Sequence, residues 1–232
     1  EGMDMPEEKE HYGLKDSDIF YRRYNQVLID DVFWKLQEFI DGVDDWFPTN
    51  RYSFYHHPVP LEIFMEDPHL KFIHDRFSEG PPWVLMMPAG TMFELHVDPS
   101  KSCALNIPMS ERGKAITLFK HSRHERKYMD HMVSVDYGQV GQFTLFNGMK
   151  QHLVINYSDR PVYMFTIPMW LMKSDHHNIT QEYDVLADLR GVQSERTGSS
   201  RTLSTERMTP MGLEIMMFNK VSQILEENGF DR

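Results

Sequence analysis

The sequence predicts a mainly β fold: a double-stranded β-helix (jelly roll, cupin-like) with N-terminal helices and a C-terminal helical extension. Three observations point there. From Pro82 onward, short apolar or alternating runs follow one another with turn residues between them. Eight such runs in about ninety residues suit a barrel or sandwich, and eight is the strand count of a jelly roll. Upstream of Pro82 the apolar residues recur at helical spacing, and beyond Ser174 the chain turns polar before a last helical pattern. The expected organisation is a loose tail over 1–13, the β-helix domain with its N-terminal helices over 14–172, and an extension with a flexible loop and a terminal helix over 173–232.

Taken in order, residues 1–13 are charged and lack periodicity. Tyr24 to Ile29 reads as a strand, after which Asp30 or Asp31 is placed to cap a helix whose apolar side is Val32, Phe33, Leu36, Phe39 and Ile40, with Gly42 as its end. Tyr52 to Tyr55 reads as a short strand ending at Pro58. A second helix spans Pro68 to Phe77, with Leu70, Ile73 and Phe77 as its buried stripe and Gly80 as its stop. The eight strands are Trp83–Met87, Met92–Asp98, Ser102–Met109, Ala115–Phe119, His131–Val135, Gln142–Phe146, His152–Tyr157 and Val162–Met169. Gly191 to Pro210, rich in Ser, Thr, Gly and Arg, reads as a flexible loop. The last helix carries Leu213, Met216, Met217, Val221, Ile224 and Leu225 at helical spacing, and Asn228-Gly229 stops it. It is expected to pack on the barrel or to form a homodimer with a second copy.

Composition narrows the partners. A formal net charge of −11 argues against a nucleic-acid backbone or an anionic membrane as a main partner. The basic run from Lys120 to Lys127 reads as a solvated hairpin end. The single cysteine, Cys103, permits no intrachain disulfide and reads as a small buried hydrophobe. The first residues are acidic and polar, unlike a signal peptide, and the longest apolar run, Val162 to Met172, is too short to span a bilayer. A cytoplasmic location is the expectation.

The chemistry concentrates in Pro88-Ala89-Gly90-Thr91-Met92-Phe93-Glu94-Leu95-His96-Val97-Asp98-Pro99. On a strand, residues two apart share a face, so His96 and Asp98 point one way and Leu95 and Val97 the other. A chain with 12 histidines carries about one His-x-Asp by chance, so context decides. Here the pair ends the second strand of the eight, and His152 answers it at the start of the seventh, which brings all three to one mouth of the barrel. Two imidazoles and a carboxylate form the facial triad of non-haem Fe(II) oxygenases. A 2-oxo acid at such an iron needs a fixed cation for its far carboxylate, and an arginine fork fits best. Arg160, eight residues after His152, is the candidate, with Ser158 adding a hydroxyl.

The stretch from Pro88 to Pro99, then Cys103-Ala104-Leu105-Asn106-Ile107-Pro108, then Phe146-Asn147 through His152-Leu153-Val154-Ile155-Asn156-Tyr157-Ser158-Asp159-Arg160, resembles the metal-binding core of the aspartyl/asparaginyl β-hydroxylase family. The resemblance covers roughly residues 82–172. It implies a double-stranded β-helix, Fe(II) on His96 and His152, and 2-oxoglutarate anchored by Arg160 and oxidised to succinate and CO₂ as an unactivated C–H bond is hydroxylated. Two positions depart from the family pattern. Asp98 stands where its best-known members carry glycine, and restores the carboxylate ligand. The region Ala104-Leu105-Asn106 lacks the arginine often found there, which leaves Asn106 as a hydrogen-bond donor to the co-substrate. Both polypeptide and small-molecule substrates suit the family. The residues also allow a non-catalytic jelly-roll module that binds a ligand or partner, or a cupin-type metalloenzyme that uses no 2-oxo acid.

Other residues carry less. His56-His57 and His176-His177 read as surface or rim pairs, His121, His124 and His131 as parts of a charged hairpin, and Trp83 and Trp170 as core aromatics.

Overall fold

In the computed structural model, the described residues are 10–11, 14–15, 19–49, 54–77, 80–98, 103–110, 115–120, 132–136, 138–171 and 213–232. The Gly191–Pro210 loop, His176-His177, the hairpin histidines and most of the basic run lie outside them. The elements are a short hairpin, β1 (Glu10–His11) and β2 (Leu14–Lys15), then β3 (Tyr21–Val27), α1 (Asp30–Gly42), β4 (Phe47–Pro48), β5 (Tyr55–Pro58), α2 (Leu61–Phe64) and α3 (Pro68–Phe77). The eight-strand run follows as β6 (Trp83–Met87), β7 (Met92–His96), β8 (Cys103–Pro108), β9 (Ala115–Lys120), β10 (Met132–Asp136), β11 (Gln142–Phe146), β12 (His152–Asn156) and β13 (Val162–Met169), and α4 (Leu213–Glu227) ends the chain.

Two antiparallel sheets face each other. The larger has the order β3-β11-β8-β13-β6-β5-β4 and the smaller β10-β9-β12-β7. Within the eight-strand run, the first, eighth, third and sixth strands share one sheet and the second, seventh, fourth and fifth the other. This is the jelly-roll order expected from the sequence, so the fold is a double-stranded β-helix. Alternation sets its interior: Cys103, Leu105 and Ile107 of β8 are fully buried on one face, against the helices, while Ala104 and Asn106 turn to the space between the sheets.

The strand expected over Tyr24–Ile29 starts earlier, at Tyr21, because β3 pairs with β11 from Phe146↔Tyr21 onward. The expected aspartate cap of α1 is corrected. The cap residue is Ile29, with no side-chain bond, and Asp30 and Asp31 lie inside the first turn, where they meet the positive end of the helix dipole. The side chain that serves Ile29 comes from elsewhere: the fully buried Asp67 accepts Ile29 N–H at 3.2 Å, while its other oxygen accepts His69 and Leu70 N–H at 2.9 and 3.1 Å. One carboxylate thereby caps α3 and ties it to α1. The α3 stripe Leu70, Ile73 and Phe77 is buried as expected, and so is Cys103.

The stripe on α4 is covered by the chain itself. Met216, Met217, Val221, Ile224, Leu225 and, after the helix, Phe230 join the main core, and Arg22 donates to Asn219. Tyr24 and Ser222 share a hydrogen bond of 2.7 Å beneath this helix. Burial is the main cause that pushes the Tyr24 phenol up to about 12; Glu226 adds to it, and the Ser222 bond and the charges of Arg22 and Arg232 oppose it. An unfolded tyrosine ionises near pH 10. Between about pH 10 and 12 the unfolded chain therefore sheds a proton that the folded chain keeps, and stability falls by about 3 kcal/mol at most. Denaturation midpoints measured from pH 9 to 12 should drop over that window, and Tyr24→Phe should flatten the drop. No helix among the described residues is long and apolar enough to cross a membrane.

Candidate metal centre

His96 is the last residue of β7 and His152 the first of β12, and the two face each other in register. Their ring centroids lie 4.2 Å apart. The sequence expectation extended the strand through Asp98, but β7 stops at His96. Asp98 lies two residues beyond it, where its backbone N–H donates to Gly148 O at 2.7 Å. Its carboxylate comes within 3.7 Å of His96 Nε2. One ligand atom from each of His96, Asp98 and His152 falls within 4.8 Å of the others, and this is the one such group of three among the described residues.

The surroundings suit a divalent metal. His96 Nδ1 lies 2.6 Å from Glu94 O and His152 Nδ1 2.8 Å from Lys150 O. A ring nitrogen bonded to a carbonyl carries the proton, which leaves the Nε2 lone pair for a metal. His152 is 3% exposed, with Phe119 and Phe146 rings at 5.7 and 4.9 Å, so its orientation is fixed by packing. The donor set, two imidazoles and one carboxylate, fits a non-haem iron.

The three residues open into a cavity of about 460 Å³ between the sheets, within the size range of small-molecule sites. One face of each strand lines it: Trp83, Leu85 and Met87 of β6, Phe93 of β7, Ala104 and Asn106 of β8, and Val162, Met164, Thr166 and Pro168 of β13. Thr166 Oγ1 donates to Asn106 Oδ1 at 2.7 Å, so the Asn106 amide keeps its NH₂ as a donor. Asn106 thus lies in the cavity.

Arg160 and Ser158 lie elsewhere. Both sit in the turn between β12 and β13, and neither is among the residues that line the cavity. Arg160 is exposed. The turn is organised by the buried Asn156, whose side-chain N–H₂ donates to Met87 O, Pro88 O and Arg160 O and whose Oδ1 accepts Ser158 N–H and O–H. The first β13 residue to reach the cavity is Val162.

The sequence reading missed several residues. His56, read as a surface or rim residue, is half-buried and lines the cavity, and burial first and His57 second lower its pKa. Trp83 and Trp170, read as core, also line it. The alternation of β6 held the signal for Trp83, since Leu85 and Met87 share its parity. Gly148, read as a turn residue, backs Asp98: a Cβ there would lie 2.4 Å from Asp98 Oδ2.

No protein-family model matches the chain, and no curated protein does. Among solved structures it is similar to a prolyl-4-hydroxylase from Pseudomonas putida, with 13% identity over 68% of this chain and 96% of that one and a TM-score of 0.49. It is similar to HygX from Streptomyces hygroscopicus, solved with nickel, 2-oxoglutarate and hygromycin B, with 10% identity over 66% and 84% and a TM-score of 0.48. The non-haem α-ketoglutarate-dependent epimerase SnoN from nogalamycin biosynthesis shows 12% identity over 65% and 77%, with a TM-score of 0.48. None of the three is an aspartyl/asparaginyl hydroxylase.

Proposed function

We propose that the chain is a 2-oxoglutarate- and Fe(II)-dependent oxygenase that hydroxylates an unactivated C–H bond of a small molecule or protein side chain. In that reaction 2-oxoglutarate, O₂ and R–H give succinate, CO₂ and R–OH. The observation that supports it most is the meeting of His96, Asp98 and His152, distant in sequence, within 4.8 Å at the wall of a cavity. Iron held by these three would supply the activation of O₂ that such a hydroxylation requires. The chain's own part is positional. Backbone carbonyls of Glu94 and Lys150 hold the two rings with Nε2 forward, and Gly148 steadies Asp98. Asn106 and Thr166 are polar groups on the cavity wall available to a co-substrate. Arg160, exposed in its turn, is the cation proposed for the far carboxylate of 2-oxoglutarate.

The test is iron-dependent succinate formation from 2-oxoglutarate by the purified chain. Metal binding without succinate would favour a cupin-type enzyme that uses no 2-oxo acid; binding of neither would leave a jelly-roll binding module. Arg160→Ala should raise the 2-oxoglutarate concentration needed for half-maximal turnover by roughly ten-fold or more, the scale of a lost charge-assisted bond, without changing metal affinity. An unchanged requirement would remove Arg160 from the site.

A further inference from the structure

One side of the cavity is built of rings. Phe54, just ahead of β5, meets Phe93 of β7 edge-on, with centroids 4.6 Å apart at 89°, so an aromatic contact bridges the two sheets. The Phe93 ring lies 3.9 Å from that of His96, beside the metal ligands. His56 of β5 meets Trp83 of β6 in the same manner, at 4.8 Å and 73°. All four rings line the cavity and all are half-buried, as are Thr49, Leu85, Asn106, Val154 and Trp170, whereas Met87, Phe146, Val162, Met164 and Thr166 are buried. The rings thus keep part of their surface free to meet a ligand. Outside the triad, His56 is the one ionisable side chain among the described lining residues, and its lowered pKa keeps it neutral at neutral pH.

Away from the triad, Asn106 and Thr166, a charged group moved against the ring-lined side loses its hydration and gains no charged partner there. A flat uncharged group gains edge-to-face contacts with rings already arranged for them. Size agrees: an apolar cavity of about 150 Å³ holds one benzene ring, so about 460 Å³ leaves room for a ring beside a co-substrate.

Resting on the oxygenase reading, we propose that the group offered to the metal for oxidation is an uncharged, ring-bearing apolar one, held between the Phe54–Phe93 and His56–Trp83 pairs. Charged side chains such as aspartate or lysine are excluded as the oxidised group.

The experiment uses the full chain loaded with Zn(II), which takes nitrogen and oxygen ligands without redox chemistry. It is titrated with benzyl alcohol and benzylammonium while tryptophan fluorescence is followed. Benzyl alcohol should bind saturably and at least roughly ten-fold more tightly than benzylammonium, since only the latter must shed a charge's hydration. Replacing both cavity tryptophans, Trp83→Phe with Trp170→Phe, should remove most of the fluorescence response. Phe54→Ala should weaken benzyl alcohol roughly five-fold, the scale of one aromatic pair, and Phe54→Leu serves where the alanine chain does not fold. Benzylammonium binding as tightly as benzyl alcohol overturns the proposal, and so does the lack of a saturable response to either probe. The binding needs no turnover, so failure here is separate from failure to form succinate.

Discussion

His152→Ala should fold and yet lose both Fe(II) and all iron-dependent succinate formation. The side chain is buried at the start of β12, opposite His96 in the smaller sheet, and its ring rests among Phe119, Phe146 and His96. Truncation removes one of the three proposed ligands, and affinity should fall by more than the roughly 10–100-fold that loss of a ligand's hydrogen-bond partner costs. The strand itself should survive. The ladder bonds that hold position 152 between Phe119 and His96 are backbone bonds, which alanine keeps. The space left by the ring should cost about 1–3 kcal/mol, the low part of the range for large-to-small changes in a core. Far-UV circular dichroism and a denaturation curve check the fold, and titration with Fe(II) or Co(II) checks the metal. A variant that folds and still binds metal with unchanged affinity would remove His152 as a ligand, and the oxygenase reading with it.

The two histidines of the candidate metal centre were legible because they follow the one periodicity a strand imposes. His96 ends one short alternating run and His152 opens another, and a jelly roll of eight strands brings those two ends to one mouth of the barrel. What lay between runs was less legible. Asp98 was expected to share a strand face with His96, yet it reaches His96 from beyond the strand, through a backbone bond to a residue fifty positions away in the chain. Arg160 shows the same limit. It has the parity of Val162, Met164, Thr166 and Pro168, all of which line the cavity, so alternation alone would aim it inward. The strand, however, begins at Val162, and Asn156 holds the preceding residues in a turn whose five side-chain bonds no local pattern announces. The aromatic side of the cavity was illegible for a related reason. Phe54 and Phe93 meet only because the edges of two sheets close on each other, a consequence of topology rather than of either segment.

Gly148→Ala should weaken metal binding while leaving the fold intact, a dissociation that few single methyl groups produce. Gly148 is not among the glycines with positive φ, so an alanine costs nothing in backbone strain there. It should even gain about 0.4–1 kcal/mol by restricting the unfolded chain. The penalty is local. The added Cβ would sit 2.4 Å from Asp98 Oδ2 and 3.1 Å from both Cβ and Cγ of Asp98, so a small rotation of the carboxylate is not enough and the whole side chain has to shift. The backbone gives no easy escape, because Asp98 N–H is bonded to the carbonyl of that same glycine at 2.7 Å. The carboxylate therefore leaves the place where it faces His96 Nε2 at 3.7 Å. Two imidazoles without a well-placed acid bind a hard divalent ion poorly, and an affinity loss on the order of 10–100-fold follows from misplacing one ligand. Gly42→Ala, where nothing lies within 4 Å of the new methyl group, is the matched control and should bind metal like the parent chain. Metal titration alongside thermal denaturation separates the outcomes: lost affinity with stability held or raised means that the empty space at position 148 is what lets Asp98 reach the metal, whereas parental affinity would show that Asp98 is no ligand.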